Sequence, residues 1–475
     1  MEQSNTNSAS QSTLDGIYQE TEYLEINTGG KTIHAKRIPG RWRTLKWWTS
    51  SVWLLFFLGP YLRWNGRQAV LFDIPNRQFH IFGATILPQD FWMLSLVLLF
   101  FAILLAMATA LAGRVYCGFF CFQTVWTDLF TWLEEKLEGP PQKRRKLDQS
   151  PWDLHKLRIK LIKHLIWVAI GLLTGISFVA WFTDAYQFWG DLFRLDLHPA
   201  AWVTILLFTL GTYFLAGFLR EQACFWLCPY ARIQSAMVDK HTLIPAYDAK
   251  RGEPRGRLRK GGDTAGLGDC IDCNQCVAVC PTGVDIRHGL QEGCIMCALC
   301  IDACDQVMDK IQRPRGLIRY ASLDELEGGE VLPLLKRTRI WVYGSILLLA
   351  VLGIAWGLSS LDAIQLNVIH ERQPLFVVES DGSIQNKYTL KVLNKTMQDI
   401  PVTVEVSGPE GAVVHGFRGS ATIRRSTTTP LTIFVRVPRR NLRGESEPIR
   451  FRVTSTQDPE LHAEEESLFL GPGSG

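Results

Sequence analysis

Methionine is scarce in these 475 residues, with seven in all, so no Met-rich surface for carrying soft metals is available. Histidine is sparse too. The ten present are scattered, without the deep paired placement that a haem-binding helical bundle needs. Charged residues amount to only 20% against 47% hydrophobic, which excludes a disordered or acidic solvating chain. A formal net charge of +4 is too small to point to nucleic acid as a partner. No glycine-rich nucleotide fingerprint is expected either, since Gly261-Gly262 and Gly266–Gly268 neither follow a strand nor open an apolar helix. Twelve Cys are too few and wrongly spaced for a secreted disulfide scaffold, and none occurs after Cys304. The first 30 residues are polar and rich in Ser, Asn and Thr, so they read as a disordered tail without a cleavable signal peptide.

What the chain does have is long uncharged runs. Phe91–Ala112, Leu165–Thr183, Ala200–Leu219 and Ile340–Leu361 contain no Asp, Glu, Lys or Arg. A hydrocarbon core needs about 20 residues of helix, so each run predicts a membrane span. Leu45–Leu62 predicts a fifth, with Lys46 at its start, Gly59-Pro60 near its end, and Trp47, Trp48 and Trp53 as interfacial anchors. Lys and Arg number six in residues 1–46, three in 63–90, ten in 113–163, one in 184–199 and seventeen in 220–339. Basic loops stay in the cytoplasm, so this alternation predicts an inside N-terminus and an outside C-terminal region. Every Cys then falls on the reducing side, as metal-binding thiolates require.

Cys270, Cys273, Cys276 and Cys280 form C-x2-C-x2-C-x3-C, followed by Pro281, and Cys294, Cys297, Cys300 and Cys304 repeat the spacing with Asp305 in place of Pro. Three thiolates on a tight loop occupy three corners of an iron–sulfur cube, and in two-cluster ferredoxins the fourth Cys ligates the other one. The expected sets are therefore Cys270, Cys273, Cys276 and Cys304 for one [4Fe–4S] cluster, and Cys294, Cys297, Cys300 and Cys280 for the second. Zinc sites use two C-x2-C pairs further apart and have no use for the third and fourth Cys at these offsets.

Two further pairs sit where expected spans leave the membrane on the inner side: Cys117 with Cys121, and Cys224 with Cys228. A spacing of four puts both sulfurs on one helical face if the helix continues, though Pro229 disfavours helix at Cys228. Together they offer up to four soft thiolates, a set suited to Cu(I). The alternative is that these Cys are small apolar fillers. His164, next to Lys163 at a span end, reads as interfacial. The basic runs Lys143–Lys146 and Arg255–Lys260 suit anionic lipid.

Beyond Leu361 the composition changes. Tyr388–Leu393, Val402–Val406, Leu431–Val437 and Pro448–Val453 are short, β-branched and partly alternating, with Gly, Pro and Asn between them. Strands at this pitch predict a two-sheet sandwich, most simply a docking module. His370, His415 and His462 are read as isolated surface histidines ahead of copper ligands.

The chain resembles the CcoG/FixG/RdxA family, accessory proteins of cbb3-type cytochrome c oxidase assembly. The resemblance runs through Leu71-Phe72-Asp73-Ile74-Pro75 with Phe79, Ile81-Phe82-Gly83, Gln89-Asp90-Phe91, Cys117-Gly118, and Cys121 with Gln123-Thr124-Val125-Trp126-Thr127-Asp128. It continues through Cys228-Pro229-Tyr230-Ala231-Arg232, Asp239-Lys240, Arg251-Gly252-Glu253-Pro254-Arg255-Gly256 and both cluster motifs. It implies a multi-pass protein of the bacterial inner membrane that reduces Cu(II) to Cu(I) for the oxidase, with two [4Fe–4S] clusters and a C-terminal immunoglobulin-like domain. One departure is Phe122, where related membrane ferredoxins carry Pro after the second Cys, which sets the two thiol pairs apart.

The expected organisation is a cytoplasmic disordered, basic segment (1–44), a four-helix membrane region (45–219), a cytoplasmic two-cluster ferredoxin region (220–339), a fifth membrane helix (340–361) and a periplasmic immunoglobulin-like domain (362–475). Cys224, Cys228, Cys117 and Cys121 are the candidate copper or redox thiols, Cys224 and Cys228 first. The expected partners are the membrane, copper ions, the oxidase or its assembly factors, and a cytoplasmic electron donor. Two rival readings are a quinol-linked electron conduit to a periplasmic acceptor and a non-catalytic assembly scaffold.

Overall fold

The structure is a computed structural model that describes residues 33–258, 266–329, 332–359, 363–396, 398–417, 419–425 and 427–472. The polar tail, the Gly261-Gly262 step, the end of the Arg255–Lys260 run and Leu361 lie outside those residues. The chain divides into two compact units, Met1–Tyr61 with Ser95–Leu352, and Leu62–Leu94 with Gly353–Gly475.

Among the described residues, four helices are long and apolar enough to cross a membrane: Phe91–Ala112, Leu154–Val179, Pro199–Leu219 and Thr338–Ser359. The second of these, Leu154–Val179, starts about half a membrane's thickness before its apolar run, because Asp153 caps its first turn by accepting from the Lys156 amide at 2.7 Å. That added length carries the basic face of the helix. The fifth expected span, Leu45–Leu62, is not one helix. It breaks into Arg41–Ser50, the 3₁₀ turn Ser51–Trp53, Leu54–Leu58 and the 3₁₀ turn Gly59–Tyr61. The Ser51 hydroxyl donates to the Trp48 carbonyl at 2.6 Å, competing with regular helical pairing, and the Trp53 indole ties the segment to the Phe120 carbonyl at 2.9 Å.

Within the first unit, Leu154–Val179 packs on Pro199–Phe214 through Gly171 and Gly175. A Cβ on Gly171 would lie 2.8 Å from the Thr209 carbonyl oxygen, and one on Gly175 2.7 Å from that of Ile205. This is the small-x3-small approach that lets membrane helices pack by backbone contact. Glu134, almost fully buried, joins the helix ends to their loops: it accepts from Arg220 at 2.6 Å and Arg144 at 3.0 Å, with Lys163 at 3.4 Å. The cysteine-rich segment is framed by a two-stranded antiparallel ribbon, Ile244–Tyr247 against Ile318–Ala321. Its small core, including Ile271, Val277, Met296, Ile301 and Leu317, sits directly among the cysteines.

The second unit is a β-sandwich with an attached three-stranded meander. One sheet runs Val413–His415, Thr428–Pro438, Ser383–Asn394, Ile364–His370, with Val377–Val378 on the third strand. The other runs Ala421–Ile423, Ile400–Ser407, Ser446–Ser455, His462–Leu470. Alternation does the work: Tyr388, Leu390 and Val392 face inward with no exposure, as do Val435, Val437, Phe451 and Val453. All four expected strands lie inside these observed ones. The meander Val70–Asp73, Gln78–Ile81, Ala84–Ile86 belongs to this unit, where buried Lys395 meets buried Asp90 at 3.1 Å.

Candidate iron–sulfur and thiol centre

The two cysteine repeats adopt the same backbone course. Asp272 and Asn274 in the first, and Met296 and Ala298 in the second, all take the left-handed region, at φ 50°, 55°, 55° and 61°. Non-glycine residues seldom do so, and a matched double occurrence marks loops wrapped around something. The wrapping turns backbone amides inward: those of Gln275, Met296 and Leu299 face the sulfurs of Cys273, Cys294 and Cys297. Each such N–H stabilises negative charge on sulfur.

Two small enclosed cavities lie inside these loops. Cys270, Cys273, Cys276 and Cys304 line one, beside Arg287. Cys280, Cys294, Cys297 and Cys300 line the other, with Cys276 on the wall between. Burial raises the thiol pKa values, to about 11 for Cys273 and about 12 for Cys294 and Cys304, and Cys276, Cys297 and Cys300 are also raised. Such thiolates need a metal to compensate their charge. Among the described residues no three His, Cys, Asp or Glu converge closely enough to hold a single ion. Sulfurs spread around a cavity suit a cube, whose four ligands go to four separate irons. The residues present therefore fit two [4Fe–4S] groups in the expected sets.

The juxtamembrane thiols come together in the same unit. Cys117 lies in the short helix Val115–Phe119, and Cys121 is the extended N-cap of Phe122–Glu138. Cys224 lies in the π-helical turn Ala223–Leu227, and Cys228 is the extended N-cap of Pro229–Met237. Neither pair shares a helical face, since the chain turns between the two Cys in both. The second Cys of each pair is placed alike, with Phe122 at the first helical position as Pro229 is, whereas the first Cys differ: Cys117 is buried in an α-helical turn and Cys224 half-buried in a π-helical one. Cys117 is under the electrostatic influence of Cys121 and Cys228, and Cys224 under that of all three others. Burial pushes Cys117 to about 11 and Cys224 to about 12. The Cys117 thiol donates to Gln234 Oε1 at 3.0 Å.

Cys117 also packs in one cluster with Val279, Ile295 and Cys297. The approach is tight: a Cβ on Gly118 would lie 2.7 Å from the Ile295 carbonyl oxygen and 3.0 Å from the Cys297 Cα. A cavity of about 50 Å³ joins Cys224 to Val279, Pro281, Thr282 and Ile295 on the same loops. One thiol of each pair, Cys117 and Cys224, thus adjoins the second cysteine loop at Ile295.

An N-terminal strap, Ile33–Lys46, closes this region. The Ile33 amide donates to Glu221 at 2.9 Å, the Lys36 amide to the Ala278 carbonyl at 2.7 Å, and the Trp42 and Arg43 amides to Asp302 at 3.2 and 3.0 Å. Asp128 gathers the cations of the strap, Arg37 at 2.7 Å, Arg43 at 3.0 Å and Lys46 at 3.6 Å, and they hold its carboxyl well below the usual range. Sequence reasoning missed this arrangement. Asp128 was visible within the Gln123–Asp128 run, but its partners lie some 85 residues upstream.

The outer histidines do not assemble. His370 bonds to Asn386 Oδ1 at 2.6 Å, His462 to the Glu460 carbonyl at 3.1 Å, and His415 lies on a strand of the opposite sheet from His462. His164 bonds to the Tyr213 hydroxyl at 3.0 Å and stacks on Phe218.

Comparison with known proteins places this geometry. Residues 219–323 match the family model of a 4Fe-4S dicluster domain, 94–140 that of a 4Fe-4S binding domain, and 354–472 that of the IG-like fold at the C-terminal of FixG. The chain is 39% identical over 455 residues to nitrogen fixation protein FixG of Rhizobium meliloti (strain 1021), covering 86% of this chain and 87% of that one. It is 42% identical over 398 residues to protein RdxA of Cereibacter sphaeroides, covering 80% and 83%. The crystal structure of a FixG-related protein from Vibrio parahaemolyticus matches at 25% identity and a TM-score of 0.21, covering 23% of this chain and 97% of that one.

Proposed function

The chain belongs to the FixG/CcoG/RdxA family, and on that premise we propose that it reduces Cu(II) to Cu(I) at its juxtamembrane thiols to supply the copper centre of cbb3-type cytochrome c oxidase. It is an iron–sulfur redox protein with membrane-type helices. When bound, two [4Fe–4S] groups supply one-electron carriers to the cysteine loops. Cys270, Cys273, Cys276 and Cys304 hold one, and Cys280, Cys294, Cys297 and Cys300 the other. The observation that carries the reading is the backbone approach of Cys117-Gly118 to Ile295–Cys297, which puts a soft-thiolate site against the second set.

The reaction needs one electron and no proton: an external low-potential donor is oxidised and Cu(II) becomes Cu(I). Cys224 and Cys228, with Cys117 and Cys121 beside them, favour the soft Cu(I) product. The basic segments before and between the membrane helices support a cytoplasmic thiol centre and a periplasmic sandwich.

The test is anaerobic iron analysis and Cu(II) reduction by the full chain, beside Cys224→Ser and Cys117→Ser. Copper reduction is expected to be lost with iron content unchanged. Undiminished reduction in both variants would remove the thiols from the reaction. A second reading is favoured by the 4Fe-4S binding model over 94–140, whose only cysteines are Cys117 and Cys121. The four thiols then hold a third cube, and the same variants lose one cube's worth of iron.

A further inference from the structure

The two cysteine sets are nearly equal in burial: Cys270, Cys276 and Cys304 are 8–9% exposed, and Cys294 and Cys297 are 8% exposed. The fixed charge around them differs. On the first set, Arg287 bears on Cys276, but Asp285 and Asp272 each pair with it at 2.6 Å. Asp305 adds negative potential at Cys304. Around the neighbouring Asp269, the side chains of Arg251 and Arg313 are about a quarter exposed, so water screens them. Buried Asp285 matches buried Arg287, and the partly exposed Asp272 and Asp305 are screened as the arginines are, so the buried balance there is about neutral.

The second set faces a net positive charge instead. Lys46 and Arg43 bear on Cys297, and Arg114 on Cys294. All three are nearly inaccessible, at 1%, 8% and 3% exposure. Arg114 is fixed by donating to the Glu292 carbonyl, and its amide donates to Met296 Sδ at 2.9 Å. Asp128 and Asp302 are the anions on this side; Asp128 is shared among three cations, and Asp302 is taken up by the amides that open the Arg41–Ser50 helix. The balance is positive. Cluster potentials follow net charge, hydrogen bonding to sulfur and exposure, and a buried cation is little screened by salt.

We propose that Lys46, Arg43 and Arg114 are redox-positioning residues: they raise the reduction potential at the Cys280, Cys294, Cys297, Cys300 site above that at the Cys270, Cys273, Cys276, Cys304 site. One electron leaves the first site and one arrives at the second, with no proton moved, so the reducing equivalent rests beside Cys117. Charge carried on the strap and on the turn before Cys117 thereby sets the direction of transfer toward the thiols. The inference rests on the two-cluster reading of the cysteine sets.

The experiment is an anaerobic potentiometric titration of the full-length, iron-replete protein, followed by electron paramagnetic resonance, for wild type, Lys46→Met, Lys46→Arg and Asp305→Asn. Two separated one-electron steps are expected in the wild type. Lys46→Met is expected to lower only the higher step, Lys46→Arg to restore it, and Asp305→Asn to raise only the lower one. Coincident wild-type steps, or a higher step that does not respond to Lys46→Met, would overturn the ordering. Iron content short of two cubes would instead fail the underlying assignment, and it is measured on the same samples.

Discussion

At the scale of single residues, Asp128 shows how little local sequence reveals about a buried charge. It is one carboxylate facing Arg37, Arg43 and Lys46. Removing one partner of a buried ion pair costs about 3–5 kcal/mol, because the remaining charge stays buried and uncompensated. Asp128→Asn is therefore expected to lower the thermal midpoint of the purified protein and to expose the strap to amide exchange; an unchanged midpoint would show that Asp128 is not holding it. The pH dependence follows from the depressed pKa of Asp128. Its stabilisation is present above the unfolded carboxylate value and is lost as pH falls toward the folded one. The wild type should accordingly lose strap protection in acid, whereas Asp128→Asn should show a flatter dependence. The cluster cysteines were legible from spacing alone because their ligand chemistry is local. The cations that bias them were not, since each reaches its site only through the tertiary fold.

At the scale of elements, Gly118 is the joint between the juxtamembrane thiols and the cysteine loop. No side chain fits there, with backbone atoms at 2.7 and 3.0 Å from a Cβ position. Overpacking of this kind costs about 1–3 kcal/mol, and backbone on the far side yields poorly. Gly118→Ala is expected to retain iron, broaden or shift the resonance of the second site, and slow Cu(II) reduction several-fold; full retention of rate would separate the joint from the reaction. The sequence reading recovered the Phe91–Ala112 and Thr338–Ser359 helices to within a few residues, because uncharged runs report directly on burial in lipid. It failed at Leu45–Leu62. That run has the composition of a span, but 3₁₀ turns at Ser51–Trp53, where the Ser51 hydroxyl takes up the Trp48 carbonyl, and at Gly59–Tyr61 interrupt its helix. It also missed the chain's turn between Cys117 and Cys121, and the π-helical Leu215–Leu219 that ends at Arg220, at φ 44°, just before Cys224. Gln123 holds that π-helical segment before Cys224 by donating to the Leu215 carbonyl at 2.8 Å and that of Arg220 at 3.0 Å.

At the scale of the whole molecule, the division into units differs from a reading in chain order. Leu62–Leu94 lies between membrane segments in sequence, yet it is compact with the C-terminal sandwich, through the Lys395–Asp90 pair among other contacts. The sandwich itself was legible from β-branched alternation; the placing of the meander in the same unit was not, because nothing local announces that Asp90, just after it, pairs with a residue some 300 positions away. Deleting residues 365–475 is expected to leave iron content and Cu(II) reduction intact, because every cysteine lies in the other unit, while oxidase maturation in cells falls. Full maturation with the deletion would remove the outer unit from assembly. The strap has a consequence in time. Ile33–Lys46 leaves the ribosome before every group that receives it, from Asp128 to Gln306. The earliest described stretch to be synthesised is thus among the last to be seated, and the positive charge beside Cys297 is delivered only once the cysteine loops have taken their shape.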